Sequence, residues 1–360
     1  MISGDRSLAS GKMGAYFNTL GELRKHFERI DIICPHVSVV RYDMSVFGNV
    51  YVHPSPWPLV LQWFWILHKG RQLIRRFGHQ SMTVHEYSPV FNGVGARWLH
   101  RRTGVPYMLE VMHVTGLPRP SGIWERLNLL LLRAFVARDA RDASVVRVIN
   151  EHETPEFLVS AGIARTKIRS IPAFYIDTDT FTPMTDVPKQ YDIAFVGRMA
   201  RNKGLNLFLD VIERTERIGV AVGDGPMLGW ARQQSKRRSL KIHFPGFAHD
   251  SGEVARYINA SRILLMPSYS EGGPRVVLEA MACGVPVIAT PVGIVRDVLP
   301  PEAIEEWDAP ALADKVKNIL TDTTLYERLR GGGLQTAKAF EKTVMVQRYA
   351  DAIKNMVHHE

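Results

Sequence analysis

The chain has 360 residues, 46% of them hydrophobic, with 45 Lys+Arg against 36 Asp+Glu and a formal net charge of +9. That length suits two domains, and the hydrophobic fraction is too high for a disordered chain. Two cysteines, Cys34 and Cys283, exclude a disulfide framework and a cysteine metal site, and so low a count fits a reducing compartment.

No apolar run reaches the roughly 18 residues of a membrane-spanning helix. Residues 1–14 carry no apolar core of a signal peptide, so a cytoplasmic protein is expected. The positive charge is uneven: residues 1–185 hold 22 Lys+Arg and 15 Asp+Glu, whereas residues 186–360 hold 23 and 21. Such a surplus attracts nucleic acid, an anionic membrane or a phosphorylated ligand, and composition does not choose among them.

The chain opens with Met1-Ile2-Ser3 and then a glycine loop, Ser10-Gly11-Lys12-Met13-Gly14. A parallel strand should precede such a loop, yet only two or three residues remain for it. Either the start lies further upstream or the first sheet lacks most of one strand.

Strand candidates follow at 31–34, 49–52, 82–85, 107–111, 144–149 and 167–171, short and rich in Val, Ile and Tyr. Helical patterns occupy 16–29 and 123–141. Residues 182–190, TPMTDVPKQ, hold two prolines and no periodicity, and read as a linker. The rhythm then restarts with strand candidates at 191–196, 218–222, 241–244, 263–266 and 287–290. A helix is expected from 342 to 359, packed on its own domain or crossing back to the first. Strands alternating with helices imply parallel sheets, and two such blocks imply two Rossmann-like domains. The expected division is 1–181, linker 182–190, 191–340, and a C-terminal helix at 341–360.

Three segments stand out chemically. Residues 268–284, SYSEGGPRVVLEAMACG, follow a strand candidate. Pro274 sits where a helix would begin, and Gly272-Gly273 let backbone N–H groups approach a ligand. A helix N-terminus there is an anion site. Glu271 and Glu279 stand about two turns apart, and carboxylates suit a ligand rich in hydroxyls. Residues 195–204, FVGRMARNKG, place Arg198 and Lys203 after a strand that Gly197 ends, an arrangement suited to a diphosphate.

The third segment runs from Trp57 to Arg76, WPLVLQWFWILHKGRQLIRR. It is too short to span a bilayer. It reads either as a buried helix of the first domain or as a segment lying on an anionic membrane surface.

The first two segments together resemble the retaining GT-B glycosyltransferases, specifically glycosyltransferase family 4 (glycosyl transferases group 1). The resemblance covers nearly the whole chain and is densest over 191–298. It implies the GT-B fold, two facing Rossmann-like domains with a nucleotide-sugar in the cleft between them. It matches Glu271 and Glu279 to the family's Glu-x7-Glu element, with Glu279 on the ribose hydroxyls and Glu271 on the donor sugar. Arg198 and Lys203 match the element that grips the diphosphate. Gly223-Asp224-Gly225-Pro226 matches the family's GDGP turn, and Phe247 lies in the loop that meets the base. Residues 162–181 resemble the segment that ends the first domain.

In the first domain the resemblance implies His113 near the donor sugar, and Gly14, with Lys12, near the donor phosphates. The implied nucleotide-sugar set is Gly14, Gly197, Arg198, Lys203, Gly223, Phe247, Glu271, Gly272, Gly273, Pro274, Arg275 and Glu279. The implied catalytic set is His113, Glu271, Arg198 and Lys203. His85-Glu86 end a strand candidate and either face the acceptor or are simply buried there.

The expected activity is therefore a metal-independent, retaining hexosyl transfer from a nucleoside-diphosphate sugar, such as a UDP- or GDP-sugar, to a glycan or lipid-linked acceptor. No cofactor is expected. Asp177-Thr178-Asp179 spells a metal motif but sits just before the linker. A sugar-nucleotide epimerase or phosphorylase of the same fold is the alternative enzyme class. A nucleic-acid binder is disfavoured, because Arg71 to Arg76 and Lys236-Arg237-Arg238 are only short basic clusters. The first-half charge surplus reads as acceptor-side or membrane-facing, at the inner face of the cell membrane.

Overall fold

Short runs dense in Val and Ile form strands because β-branched side chains pack well on a pleated sheet with both faces covered. The computed structural model describes residues 1–357 except 12–14, 39–43, 87–90, 113, 115, 119, 121–122 and 174. The chain forms two compact units. One comprises Met1–Val114, Trp124–Ala173 and Thr343–Glu360, the other Thr115–Ile123 and Phe174–Lys342.

The first unit contains β1 (Ile30–Cys34), β2 (Met44–Val46), β3 (Val50–Pro54), β4 (Met82–His85), β5 (Tyr107–Val111), β6 (Val145–Val148) and β7 (Ile168–Ser170). β1 pairs with β3, and β4 through β7 pair in sequence, all in parallel; β2 is an antiparallel edge on β3. Ile2 joins the two halves by bridging both Ile33 and Val84. Its N–H donates to the Thr83 carbonyl at 2.7 Å, and its carbonyl accepts from His85 N–H at 2.9 Å. The three opening residues thus occupy one slot of a continuous sheet.

β1 and β5 are buried along their whole length. Each fully buried Val, Ile or Leu side chain stabilises the fold by about 1.5–3 kcal/mol. Ionisable side chains also lie inside, Asp31 and Arg147 among them. Burial alone would push the Asp31 carboxyl up, but hydrogen bonds from His53, His79 and Arg29 outweigh it and hold it well below the usual range. Arg147 donates to Glu110 at 2.6 Å and to the Ile171 and Pro172 carbonyls, and lies 3.8 Å from the Tyr349 ring centroid. Tyr349 belongs to the helix Lys342–Asn355, so this contact seats the C-terminal helix on the first unit.

Residues 57–76 form a short 3-10 turn, Leu59–Leu61, and the helix Gln62–Phe77. Gln62, Ile66, Gly70 and Leu73 give that helix a buried face at helical spacing. A Cβ at Gly70 would lie 2.3 Å from the Leu99 side chain, so glycine permits the close approach of the helix Phe91–Thr103. At the other end Val60, Leu61 and Phe64 remain exposed. The helix is therefore core along one face and solvent-facing at its start.

The second unit contains β8 (Tyr191–Val196), β9 (Gly219–Val222), β10 (Ile242–Gly246), β11 (Ser261–Met266) and β12 (Val287–Ala289). They form one parallel sheet in the order β10-β9-β8-β11-β12. The strand order reverses between β8 and β11, which is the topological switch point of a doubly wound sheet. The segment 182–190, read as a linker, is tied into this unit. Asn259 Oδ1 accepts from Met184 N–H, its Nδ2 donates to the Thr182 carbonyl, and Lys189 Nζ donates to the Asn259 and Ser261 carbonyls. The two prolines signalled irregular backbone, but they could not reveal these distant anchors.

No helix among the described residues is long and apolar enough to cross a membrane.

Candidate functional site

The carboxyl ends of β8 and β11 carry the two motifs. Past β8 the chain turns at Gly197 and runs through Arg201–Lys203, a 3-10 turn, to the helix Leu205–Thr215. Gly204 has φ +67, and a Cβ there would lie 1.8 Å from the Pro267 carbonyl oxygen. Only glycine admits both the left-handed backbone and this approach of the β11 loop. Gly223, at the end of β9, has φ +135 and would meet the Gly197 carbonyl oxygen at 2.0 Å. The GDGP turn therefore packs directly under the Arg198 loop, where Met199 N–H donates to the Asp224 carbonyl at 2.8 Å.

These contacts bring Lys203 onto Glu271, with Nζ in an ion pair to Oε1. The same carboxylate oxygen accepts from Ser268 Oγ at 2.9 Å. Tyr269 N–H donates to the Asn202 carbonyl at 2.7 Å, binding the two loops together. Ser268, which the sequence did not single out, is held in turn. Its carbonyl accepts from Thr290 Oγ1 at 2.5 Å and from Trp307 Nε1 at 2.8 Å. Its position directly after an apolar strand, three residues before Glu271, was the available signal; Trp307 had none.

Lys203, Ser268, Glu271, Gly197, Gly273, Pro274 and Arg275 line one cavity of about 270 Å³ at the switch point. Pro274 stands one residue outside the helix Arg275–Ala282, in extended conformation. The first free N–H groups of that helix therefore belong to Arg275 and Val276, both lining residues. Glu279 is largely buried, 4.0 Å from Arg275 Nε, and burial pushes its carboxyl up against the pull of Arg275. The Arg275 guanidinium carbon lies 5.8 Å from the Tyr175 ring centroid. Arg198 is exposed, and Phe247, beyond β10, is 70% exposed. Of the expected donor-binding residues, Arg198, Gly223, Phe247, Gly272 and Glu279 are not in the cavity lining.

The remaining candidates lie in the first unit. His113 and Gly14, with Lys12, are outside the described residues. Glu110, beside the expected His113 site, spends its carboxylate on Arg147. His85 is largely buried, which pushes its imidazole pKa down. Glu86 is 1% exposed, and a Cβ at Gly93 would lie 1.8 Å from its Oε2 and 2.8 Å from Asp139 Oδ2. Glu86 is thus packed inside the first unit.

Asp177 accepts from Asp179 N–H and Thr180 Oγ1, so this carboxylate caps its own turn. No group of three His, Cys, Asp or Glu among the described residues is placed to hold a metal ion.

Residues 180–335, all within the second unit, match the family model of glycosyl transferases group 1. The chain is 30% identical over 284 residues to the 2-deoxystreptamine N-acetyl-D-glucosaminyltransferase of Streptomyces fradiae, covering 72% of this chain and 65% of the relative. It is 31% identical over 157 residues to the enzyme of the same name from Niallia circulans, covering 41% and 40%.

The chain spans 40% to 65% of the length of the first four curated relatives it matches. Among solved structures it is similar to sucrose-phosphate synthase of Thermosynechococcus elongatus, with TM-score 0.76, 18% identity and coverage of 96% and 93%. It is also similar to Anabaena HepE solved with UDP, with TM-score 0.75, 16% identity and coverage of 98% of each chain. At these identities the likeness establishes the fold: α/β, with parallel sheets in two Rossmann-like domains.

Proposed function

We propose that the protein is a nucleotide-sugar-dependent glycosyltransferase that binds its donor on the second unit. The observation that carries this reading is the Lys203–Glu271 pair at the β8/β11 switch point, beside a helix N-terminus. A diphosphate brings negative charge to Lys203 and Arg198, and it exchanges for the carboxylate that now holds the lysine. Departure of the sugar builds charge on the β-phosphate oxygen, which two cations and helix N–H groups stabilise. Glu271, relieved of Lys203, then accepts from donor sugar hydroxyls, and Glu279 from the ribose. The curated relatives are titled as sugar transferases, and HepE was also solved with UDP-glucose; both support a sugar nucleotide as donor.

The transfer is metal-independent and retains the anomeric configuration in this proposal. Among the described residues no carboxylate is positioned as an evident nucleophile, so a front-face route through an oxocarbenium-like state is the reading adopted. NMR of the anomeric proton of the product tests it: an inverted product overturns retention, and undiminished transfer by Lys203→Ala overturns the diphosphate assignment.

The acceptor is a glycan or a lipid-linked saccharide, presented at an anionic membrane surface. Exposed apolar side chains of the first unit support this: Val60 at 63%, Trp124 at 76% and Leu130 at 65%. Arg126, Arg133, Arg138 and Arg141 share the helix Ile123–Arg141. Apolar side chains beside arginines suit an anionic lipid surface. Co-sedimentation with phosphatidylglycerol vesicles should fall on Trp124→Ser; unchanged binding by the folded variant ends the membrane assignment.

A further inference from the structure

The second unit has another hollow, of about 930 Å³, lined by residues that include Arg201, Asn206, Met227, Trp230, Tyr269 and Trp307. It shares no lining residue with the Glu271 cavity. The partition between them is the loop after β11, where Ser268 and Glu271 face one side and Tyr269 the other. Three aromatic side chains therefore line one open space on the back of the Glu271 loop.

Two of these rings are fixed by bonds at their polar edges. Trp307 Nε1 donates to the Ser268 carbonyl at 2.8 Å, and Tyr269 Oη accepts from Asn206 Nδ2 at 3.0 Å. Trp230, on the helix Leu228–Arg237, is 37% exposed. Amphipathic rings held this way offer flat apolar area together with polar rims. A pyranose ring has the matching form, with an apolar C–H face and a rim of hydroxyls. Arg201 is exposed, and among the described lining residues it is the one side chain charged at neutral pH. No carboxylate opposes it among the described lining residues, so the hollow favours an anionic ligand.

We infer that this hollow is a second carbohydrate site, which takes a saccharide bearing a carboxylate or phosphate. Its place fits part of the acceptor chain, away from the donor. The inference rests on the glycosyltransferase reading for the role of the ligand, though not for the binding itself. An aromatic ligand such as a nucleoside could also stack on these rings, but it would leave the cation without a partner.

The test is isothermal titration of the full chain with trigalacturonate, glucose 6-phosphate, maltotriose and uridine. Trigalacturonate supplies a carboxylate and glucose 6-phosphate a phosphate; whichever binds more tightly identifies the anionic group. The anionic saccharides should exceed maltotriose in affinity by about tenfold, the effect of one charge-assisted hydrogen bond. Trp230→Ala should weaken every saccharide by up to about tenfold through loss of stacking. Thermal shifts by nucleoside diphosphates should persist in that variant. Arg201→Gln, a substitution at an exposed position, should abolish the anionic preference and leave maltotriose binding unchanged.

The inference is overturned if no saccharide binds, if both variants bind as the native chain does, or if uridine displaces the saccharide. Saccharide binding without any nucleotide-sugar binding would overturn the donor reading alone. Nucleotide-sugar binding without saccharide binding would overturn the second site alone.

Discussion

Asp139 offers a quantitative check on the packing of the first unit. Its side chain is 1% exposed, and neither carboxylate oxygen has a hydrogen-bond partner among the described residues. Arg97 Nε stands 3.8 Å from Oδ1, near enough for attraction but too far for a hydrogen bond. Burial pushes this carboxyl from 3.8 to about 7, against the weaker pull of Arg97 and Arg138. That displacement corresponds to roughly 4 kcal/mol.

The sign follows from proton counting. Between those two pH values the folded chain holds a proton that the unfolded chain has released, so stability falls as pH rises and levels off above about 7. Asp139→Asn removes the titration and keeps the shape. Its buried amide carries a cost of about 1–3 kcal/mol, but that cost is the same at every pH. Urea unfolding of both proteins at pH 4.5 and pH 8 isolates the titrating part. Relative to the native chain, the variant should gain roughly 3 kcal/mol between those two conditions. A stability difference that does not change with pH would refute the reasoning.

Three further substitutions test the framework. Gly204→Ala forces a Cβ against the Pro267 carbonyl oxygen in a left-handed backbone; thermal unfolding should register a loss of at least about 2 kcal/mol. Arg147→Met leaves Glu110 charged and unpaired inside the first sheet, a loss of about 3–5 kcal/mol by denaturant titration. Lys203→Ala should lower kcat by about a hundredfold or more, with the fold retained by circular dichroism, because the proposed mechanism sets this cation against the developing charge.

Much of the fold was legible because buried parallel strands are apolar runs. Residues 82–85, 107–111 and 191–196 read as strands and are β4, β5 and β8. β2 was missed: it has three residues and lies at an antiparallel edge, where the alternation is too brief to register. Asp31 carries no sequence signal of its buried network, because His53 and His79 lie 22 and 48 residues away. The opening residues read as a remnant of a strand, and Ile2 does bridge two strands.

At the site, glycines and spaced charges made the two loops visible. Their junction was not visible, since the Lys203–Glu271 pair, the Ser268 hydroxyl and the Trp307 anchor depend on β8 and β11 being neighbours. His85-Glu86 show the opposite failure: polar residues at a strand end read equally as a site or as buried structure, and only packing against Gly93 and Asp139 separates the two for Glu86.

The central claim is that the second unit binds a nucleoside-diphosphate sugar through Lys203, Glu271 and Glu279. The direct measurement is the thermal unfolding midpoint of the native chain and of Glu279→Ala with UDP-, GDP- and ADP-sugars. A ligand at a hundred times its dissociation constant stabilises the fold by about 2.7 kcal/mol. At least one of these donors should raise the midpoint of the native chain, and Glu279→Ala should lose the shift. No shift with any donor, or an undiminished shift in the variant, would contradict it.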